Sequence, residues 1–395
     1  MSPTAPVVIA THGAADKARL QPTGRLVSLD FFRGVTIATM ILVNNPGHEQ
    51  AAYWPLQHAE WNGWTPTDLI FPFFLFIVGV STVFSFSSRL KRGESRQYLM
   101  AHALRRGVIL FALGVFLNGF PNRFNPATIR IEGVLQRIAI CYVISALLVL
   151  WSSRPWRIAT IAICLVGYWV LMRFVSVPGF GVPARDIPLL DPDRNLAAWV
   201  DRKLFFGHLY EGTRDPEGVL STIPAIATSL LGVLTGEWLR SYHSPRTKAM
   251  WMFLYGVIGL AAAEVLNVWF PINKKLWTSS CVIFTAGLAL ICLALCYRLL
   301  DIKKWRGPGT TFVLVFGMNA IAAYFFAEIV AHAIDRLQVH LSNGSVLSWQ
   351  ELIYDRTFAH LANPANASLI YAVVFVLLCW AAMWVLYRKG IFLKI

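Results

Sequence analysis

About ten stretches of this chain are apolar almost without interruption for some 20 residues, the length that crosses roughly 30 Å of hydrocarbon. They are Leu26–Asn44, Asp68–Ser87, Leu99–Asn118, Val134–Trp151, Trp156–Phe174, Val219–Leu239, Ala249–Phe270, Trp277–Leu299, Thr310–Ile334 and Ala367–Tyr387. The runs are long and continuous, not short and alternating, so they predict membrane-spanning helices and not a closed barrel of strands. The pattern predicts an all-α polytopic membrane protein, a single bundle spanning 26–395 with outer loops at 45–67, 175–218 and 335–366. No internal repeat, low-complexity tract or linker divides it. Residues 1–25 hold Ala, Pro and Thr without a long apolar core and small-residue cleavage site, and read as a cytosolic tail, not a signal peptide.

Composition agrees with that pattern. Of 395 residues, 56% are hydrophobic and only 14% charged, with 15 Trp and 26 Phe. A water-soluble fold needs more polar cover than this, and a disordered chain would lack the aromatics. All six cysteines (Cys141, Cys164, Cys281, Cys292, Cys296 and Cys379) fall inside apolar runs, as small core residues and not as a disulfide or zinc framework. No metal is expected.

The net charge of +14 is accounted for by where the basic residues fall. One set of loops carries Lys17, Arg19 and Arg25, then Arg89, Lys91, Arg92 and Arg96, then Arg154 and Arg157. It continues with Arg240, Arg246 and Lys248, then Arg298, Lys303, Lys304 and Arg306, and finally Arg388, Lys389 and Lys394. The alternate loops are longer yet poorer in unbalanced positive charge. Cytosolic loops retain Lys and Arg, which places both termini in the cytosol and requires no nucleic-acid partner. The outer loops 175–218 and 335–366 exceed the usual length of passive connections, which favours a binding or lid role.

An ionisable side chain inside a span costs about 2.5–3.5 kcal/mol on insertion scales, so each marks a candidate site. Near the cytosolic end lie Asp30 and Arg33, spaced to pair with each other, and Arg105 and Arg106. The last two point about 100° apart, so at least one faces the bundle interior. Guanidinium groups there suit a phosphate-bearing ligand, or they snorkel to headgroups. Near the outer end lie Asn44, His58, Asp68, Arg137, Glu264, Lys274, Lys275, Glu328 and His332. His58 is the strongest candidate for chemistry, because imidazole exchanges protons near neutral pH and Asp68 is placed to fix its tautomer. Trp61 and Trp64 flank it as an interfacial belt or as a floor for a sugar ring.

At these residues the sequence resembles the heparan-α-glucosaminide N-acetyltransferase family and its bacterial homologues. The matching stretches are LVSLDFFRGVTIATMILVNN (26–45), LQHAEWNGWTPTDLIFPFFLFIVG (56–79) and RIEGVLQRIAICY (130–142). They continue with DPEGVLSTIPAIATSLLGVLTG (215–236), PINKKLWTSS (271–280) and FGMNAIAAY (316–324). The resemblance implies a multi-helix transferase that uses cytosolic acetyl-CoA to acetylate a sugar amine across the membrane. It also implies that His58 matches the active-site histidine and Asn44 the catalytic asparagine.

The expected mechanism holds the donor's phosphates at the inner end while its pantetheine arm threads toward His58. His58 then acts as general base or transiently carries the acetyl group. Candidate acetyl-CoA-binding residues are Arg33, Arg105, Arg106, Arg137, Asn273, Lys274 and Trp277. Candidate acceptor-binding residues are Trp61, Asp215, Glu217 and Glu264. Expected partners are acetyl-CoA, an amino-sugar or glycan acceptor and membrane lipids, with a homodimer as a candidate assembly, in a bacterial plasma membrane. The lysosomal enzyme's large luminal domain has no expected counterpart ahead of the first span, which leaves the acceptor open. O-acylation of envelope glycans and secondary sugar transport are the rival readings. The lack of a repeat and the crowding of polar groups at one depth count against transport.

Overall fold

The structure, a computed structural model, describes residues 26–121, 123–340 and 346–393. The expected tail 1–25, Lys394 and a short part of the third outer loop lie outside the described residues. The helices are α1 (Val27–Asn44), α2 (Ile70–Lys91), α3 (Arg96–Gly119), α4 (Val134–Trp151), α5 (Arg154–Phe174), α6 (Leu196–Phe205) and α7 (Val219–Arg240). They continue with α8 (Pro245–Asn267), α9 (Ser279–Cys296), α10 (Pro308–Met318), α11 (Ala320–Arg336), α12 (Trp349–Ile353) and α13 (Pro364–Arg388). One small antiparallel hairpin, β1 (Gln338–His340) and β2 (Val346–Ser348), follows α11. Among the described residues nine helical segments are long and apolar enough to cross a membrane, and the bent pair α10–α11 supplies a tenth path. The protein is thus an all-α multi-pass membrane protein.

Local sequence explains where the spans begin. Ser95, Ser244 and Asn363 each accept a hydrogen bond from a backbone N–H in the first turn of α3, α8 and α13, satisfying donors that a helix start leaves bare. Prolines occupy the first turn of α5, α8, α10 and α13, where the missing N–H costs nothing. The connections α2–α3, α4–α5 and α7–α8 are only a few residues long. All the long loops therefore gather at the opposite end of the bundle.

Glycines set the tightest contacts at its centre. A Cβ on Gly79 of α2 would lie 1.9 Å from the Ser229 carbonyl oxygen of α7, and one on Gly232 would lie 2.1 Å from that of Phe76. Only glycine permits so close an approach of two backbones. Both helices are 67% buried over their apolar windows, whereas α8 is 22% buried and leaves its flank to lipid. Gly34 of α1 and Gly317 of α10 repeat the arrangement, the latter pressed on the Asp30 carbonyl.

One span departs from its predicted form. Thr310–Ile334 reads as a single helix, but the chain breaks at Asn319, with α10 and α11 bent by 79°. Asn319 leaves helical geometry at φ −125°, ψ 39°. Its buried amide donates to Ile391 O (3.2 Å) and accepts from Leu393 N (3.0 Å). A side chain that bonds remote backbone competes with the helix it sits in. Apolar periodicity carries no trace of that partner, which comes from the far end of the chain.

Candidate active site

The segment between α1 and α2 has little regular structure of its own and is shaped by its contacts. Gly63, at φ +96°, donates its N–H to Ile272 O at 2.7 Å, and Asn273 Nδ2 donates to Asn62 Oδ1 at 3.2 Å. The Thr65 hydroxyl lies 2.6 Å from Gln57 O, and Thr67 Oγ1 donates to Pro55 O at 3.0 Å. The loop is thereby fastened to the turn that precedes α9, and its own start is folded against the turn Pro66–Leu69. That turn packs in its turn against α1 and the head of α2.

His58 sits on this frame. Its Nδ1 lies 2.7 Å from Asp68 Oδ1, while Asp68 Oδ2 accepts from Ala59 N (3.0 Å) and Thr65 N (3.1 Å). The Asp68 side chain is 4% exposed and that of His58 is 49% exposed. An ionised carboxylate only accepts hydrogen bonds, so the imidazole proton belongs on Nδ1 and the Nε2 lone pair faces outward. This is the arrangement of a base, or of a nucleophile, with its tautomer fixed from behind.

A second, denser polar group stands at the same end. Arg130 donates through Nε to Asp215 Oδ2 (2.8 Å) and through Nη2 to both Asp215 Oδ1 and Glu217 Oε2 (2.5 Å each). Its guanidinium also covers the Tyr210 ring at 4.6 Å. Asp215 accepts further from the N–H groups of Tyr210 and Glu217. Burial works against the Arg130 charge, but the two carboxylates overcome it and raise its pKa. Burial likewise pushes Glu217 up, yet Arg130, Lys274 and Arg137 hold it below the ordinary range. The neighbouring Glu132 finds no such cation contact; burial, with Asp201 and Asp215 nearby, moves its carboxyl up to about 9. Burial also raises Asp201 to about 7, against the pull of the Val219 N–H.

Arg137 is buried to 1% exposure at the head of α4. Its Nη2 donates to Gly218 O and Ser221 Oγ, its plane covers Trp277 at 5.0 Å, and Nε and Nη1 have no hydrogen-bond partner among the described residues. Trp277, held at φ +54°, donates Nε1–H to Thr228 Oγ1. Among the described residues Lys274 makes no hydrogen bond or ion pair, but its charge acts on both Asp68 and Glu217. At the end of α1, Asn44 Nδ2 reaches Glu328 Oε1 at 3.4 Å, with His332 Nε2 3.6 Å from Glu328 Oε2.

Other expected residues are placed apart from this centre. Trp61 donates Nε1–H to Leu190 O, lies under Arg214, and lines a shallow cleft with Asp201, Asp215, Ser221 and Lys275. Glu264 is exposed on α8 and accepts a long contact from Asn267. Arg33 and Arg106 engage different partners. Arg33 donates to Asp30 (3.1 Å), Ser81 (2.6 Å) and Gly317 O (3.3 Å). Arg105 is exposed, and Arg106 covers the Tyr142 ring at 4.9 Å with its Nε buried and unpartnered. Both fall about 14 Å along α3, nearer the middle of that helix than its mouth.

Sequence reasoning passed over Arg130, Glu132, Asp201, Asn62 and Thr65. The one available signal was the RIEG run (130–133), which sets opposite charges directly before a span.

Comparison with known proteins bears on this constellation. Residues 25–262 match the family described as heparan-alpha-glucosaminide N-acetyltransferase, catalytic. The chain belongs to this family. It is 30% identical to heparan-alpha-glucosaminide N-acetyltransferase of Homo sapiens over 94% of its own length and 60% of the human protein's. Against the Mus musculus protein of the same name it is 29% identical, over 96% of the chain and 62% of that protein. The chain thus spans about 60% of the length of these relatives. The match to the heparan-α-glucosaminide N-acetyltransferase catalytic region includes His58, Asp68, Arg130, Asp215 and Glu217.

Proposed function

We propose that the protein is an acetyl-CoA-dependent N-acetyltransferase that acetylates the amine of a glucosamine-type sugar on the far side of the membrane from its donor. The observation that carries this is the His58–Asp68 pair, in which a buried carboxylate fixes an exposed imidazole with Nε2 open. Family membership supports the reaction class. Basic residues on the short hairpin loops support placing both termini in the cytosol and His58 outside. The family resemblance to bacterial homologues supports a bacterial plasma membrane.

Donor binding calls for cations with spare hydrogen-bonding capacity. Arg106, with its unpartnered Nε, and the exposed Arg105 have that capacity, so the residues present fit a phosphate-bearing donor. Arg33 is engaged with Asp30, Ser81 and Gly317 and serves as wall. When bound, the donor supplies an acetyl thioester. The chemistry left to the chain is acid–base work and charge stabilisation. His58 Nε2 takes a proton from the attacking amine as the C–N bond forms, and returns it to the sulfur as the C–S bond breaks. Asp68 stabilises the imidazolium in between. Asn44 Nδ2 donates to the carbonyl oxygen as it gains charge, a contribution of about 2.7–4 kcal/mol where such donors have been removed.

The test is incubation of detergent-purified protein with labelled acetyl-CoA and a panel of amino sugars, read by mass spectrometry. N-acetylglucosamine is the expected product. Absence of any acetylated sugar contradicts the proposal, and a carrier, which makes no bonds, gives that result.

A further inference from the structure

We infer that Glu328 is the residue that receives the acceptor's ammonium group and takes its first proton, with His332 as the outlet; this rests on the amino-sugar reading above. A glucosamine amine is largely protonated at neutral pH, and a protonated nitrogen has no lone pair with which to attack. The site therefore needs a carboxylate close to His58 that can bind the cation and also relieve it of a proton.

Most carboxylates at this end are already committed. Asp215 is held by Arg130 through both oxygens and Glu217 through Oε2, at 2.5–2.8 Å. Glu211 accepts from Lys275 (3.1 Å), Asp193 from Arg214 (2.6 Å), Asp191 from Arg194 (2.7 Å), and Asp68 faces His58. Glu264 is turned outward on α8, and Glu60 is exposed to solvent, where a charge holds a cation weakly; Glu132 and Asp201 have no cation contact among the described residues either, but at 8% and 1% exposure they are closed to an acceptor.

Glu328 differs from all of these. It has no Lys or Arg partner among the described residues, its side chain is 20% exposed, and its contacts to Asn44 (3.4 Å) and His332 (3.6 Å) are long. Both oxygens keep the capacity to accept short, charge-assisted bonds from an ammonium group. It also stands beside Asn44 at the end of α1, the residue proposed above to stabilise the carbonyl oxygen.

The protons then balance. The ammonium gives one proton to Glu328, which yields a neutral amine and a carboxylic acid. The amine attacks the thioester carbonyl, and its second proton goes to His58 and then to the departing sulfur. Glu328 returns its proton to the outer medium through His332, whose side chain is 35% exposed. The net change is one amide and one thiol formed and one proton released.

The test separates this inference from the reaction itself, because it reads binding and not turnover. Glucosamine and glucose are titrated against wild-type protein and Glu328→Gln by tryptophan fluorescence, with acetyl-CoA affinity as the check on folding and Glu328→Asp as the conservative variant. Wild type is expected to prefer glucosamine over glucose by about tenfold or more, as a charged hydrogen bond implies. Glu328→Gln should lose that preference at unchanged acetyl-CoA affinity, and Glu328→Asp should recover part of it. A preference intact in Glu328→Gln overturns the role of Glu328 and leaves the acetyltransferase reading standing. A wild type with no preference for the amine overturns both.

Discussion

Two carboxylate-centred contacts at the long-loop end of the bundle share chemistry but not purpose. In the Arg130–Asp215–Glu217 knot every carboxylate oxygen that accepts the guanidinium does so at 2.5–2.8 Å, and both Asp215 oxygens accept a backbone N–H as well. In the His58–Asp68 pair the carboxylate is as fully satisfied, yet the imidazole has one nitrogen bound and one open. The knot ties the loop before α4 to the loop before α7 and has little capacity left for a ligand. The pair spends its buried half on aiming its exposed half. Residue type and depth alone do not separate these roles; the unspent hydrogen-bonding capacity does.

The comparison breaks if the two pairs respond alike to substitution. Asp68→Asn should lower the acetyl-transfer rate by up to about 10⁴-fold, the loss seen when a tautomer-fixing carboxylate is neutralised, with a melting temperature close to that of wild type. Arg130→Met should act on the fold instead. It strands two buried carboxylates, at a cost of about 3–5 kcal/mol, seen as a fall in thermal stability in detergent before any assay. An Arg130→Met protein of wild-type stability would show that the knot is dispensable.

The smallest effect concerns Glu132, beside the knot but outside its cation contacts. Its carboxyl is raised from 4.5 to about 9, so the folded protein keeps a proton that the unfolded chain releases. Stability from this group is full below pH 4.5 and is lost progressively as pH climbs toward 9. Glu132→Gln should therefore melt higher than wild type at pH 8–9 and equal it near pH 5. A constant difference between the two proteins across that range would remove burial of the carboxyl as the cause.

Much of this architecture was legible in the sequence because a bilayer imposes one strong rule, a long apolar run for each crossing. Val134–Trp151 was read to the residue, and nearly every other span within a few. The break at Asn319 escaped because its cause is a hydrogen bond to residues 391–393, which periodicity along α10–α11 cannot register. In the site, His58 and Asp68 stood out through adjacency and cost. Arg130 did not, because it lies in a loop where a charge is cheap, and only the fold reveals that it becomes buried against two carboxylates. Arg33, Arg105 and Arg106 were grouped by depth, but Arg33 proves engaged with α2 and α10, and depth says nothing of direction. Asp215 and Glu217 lie in a matched motif, yet their ligand is another side chain of the same protein.

The account depends on the open nitrogen of His58. The most direct test is single-turnover acetyl transfer from acetyl-CoA to glucosamine by wild type and His58→Ala, compared at equal melting temperature and equal acetyl-CoA affinity. A fall of about 10²–10⁴-fold, the usual worth of a positioned base, is the expected result. A His58→Ala rate within twofold of wild type would contradict the assignment and remove the His58–Asp68 pair from the reaction.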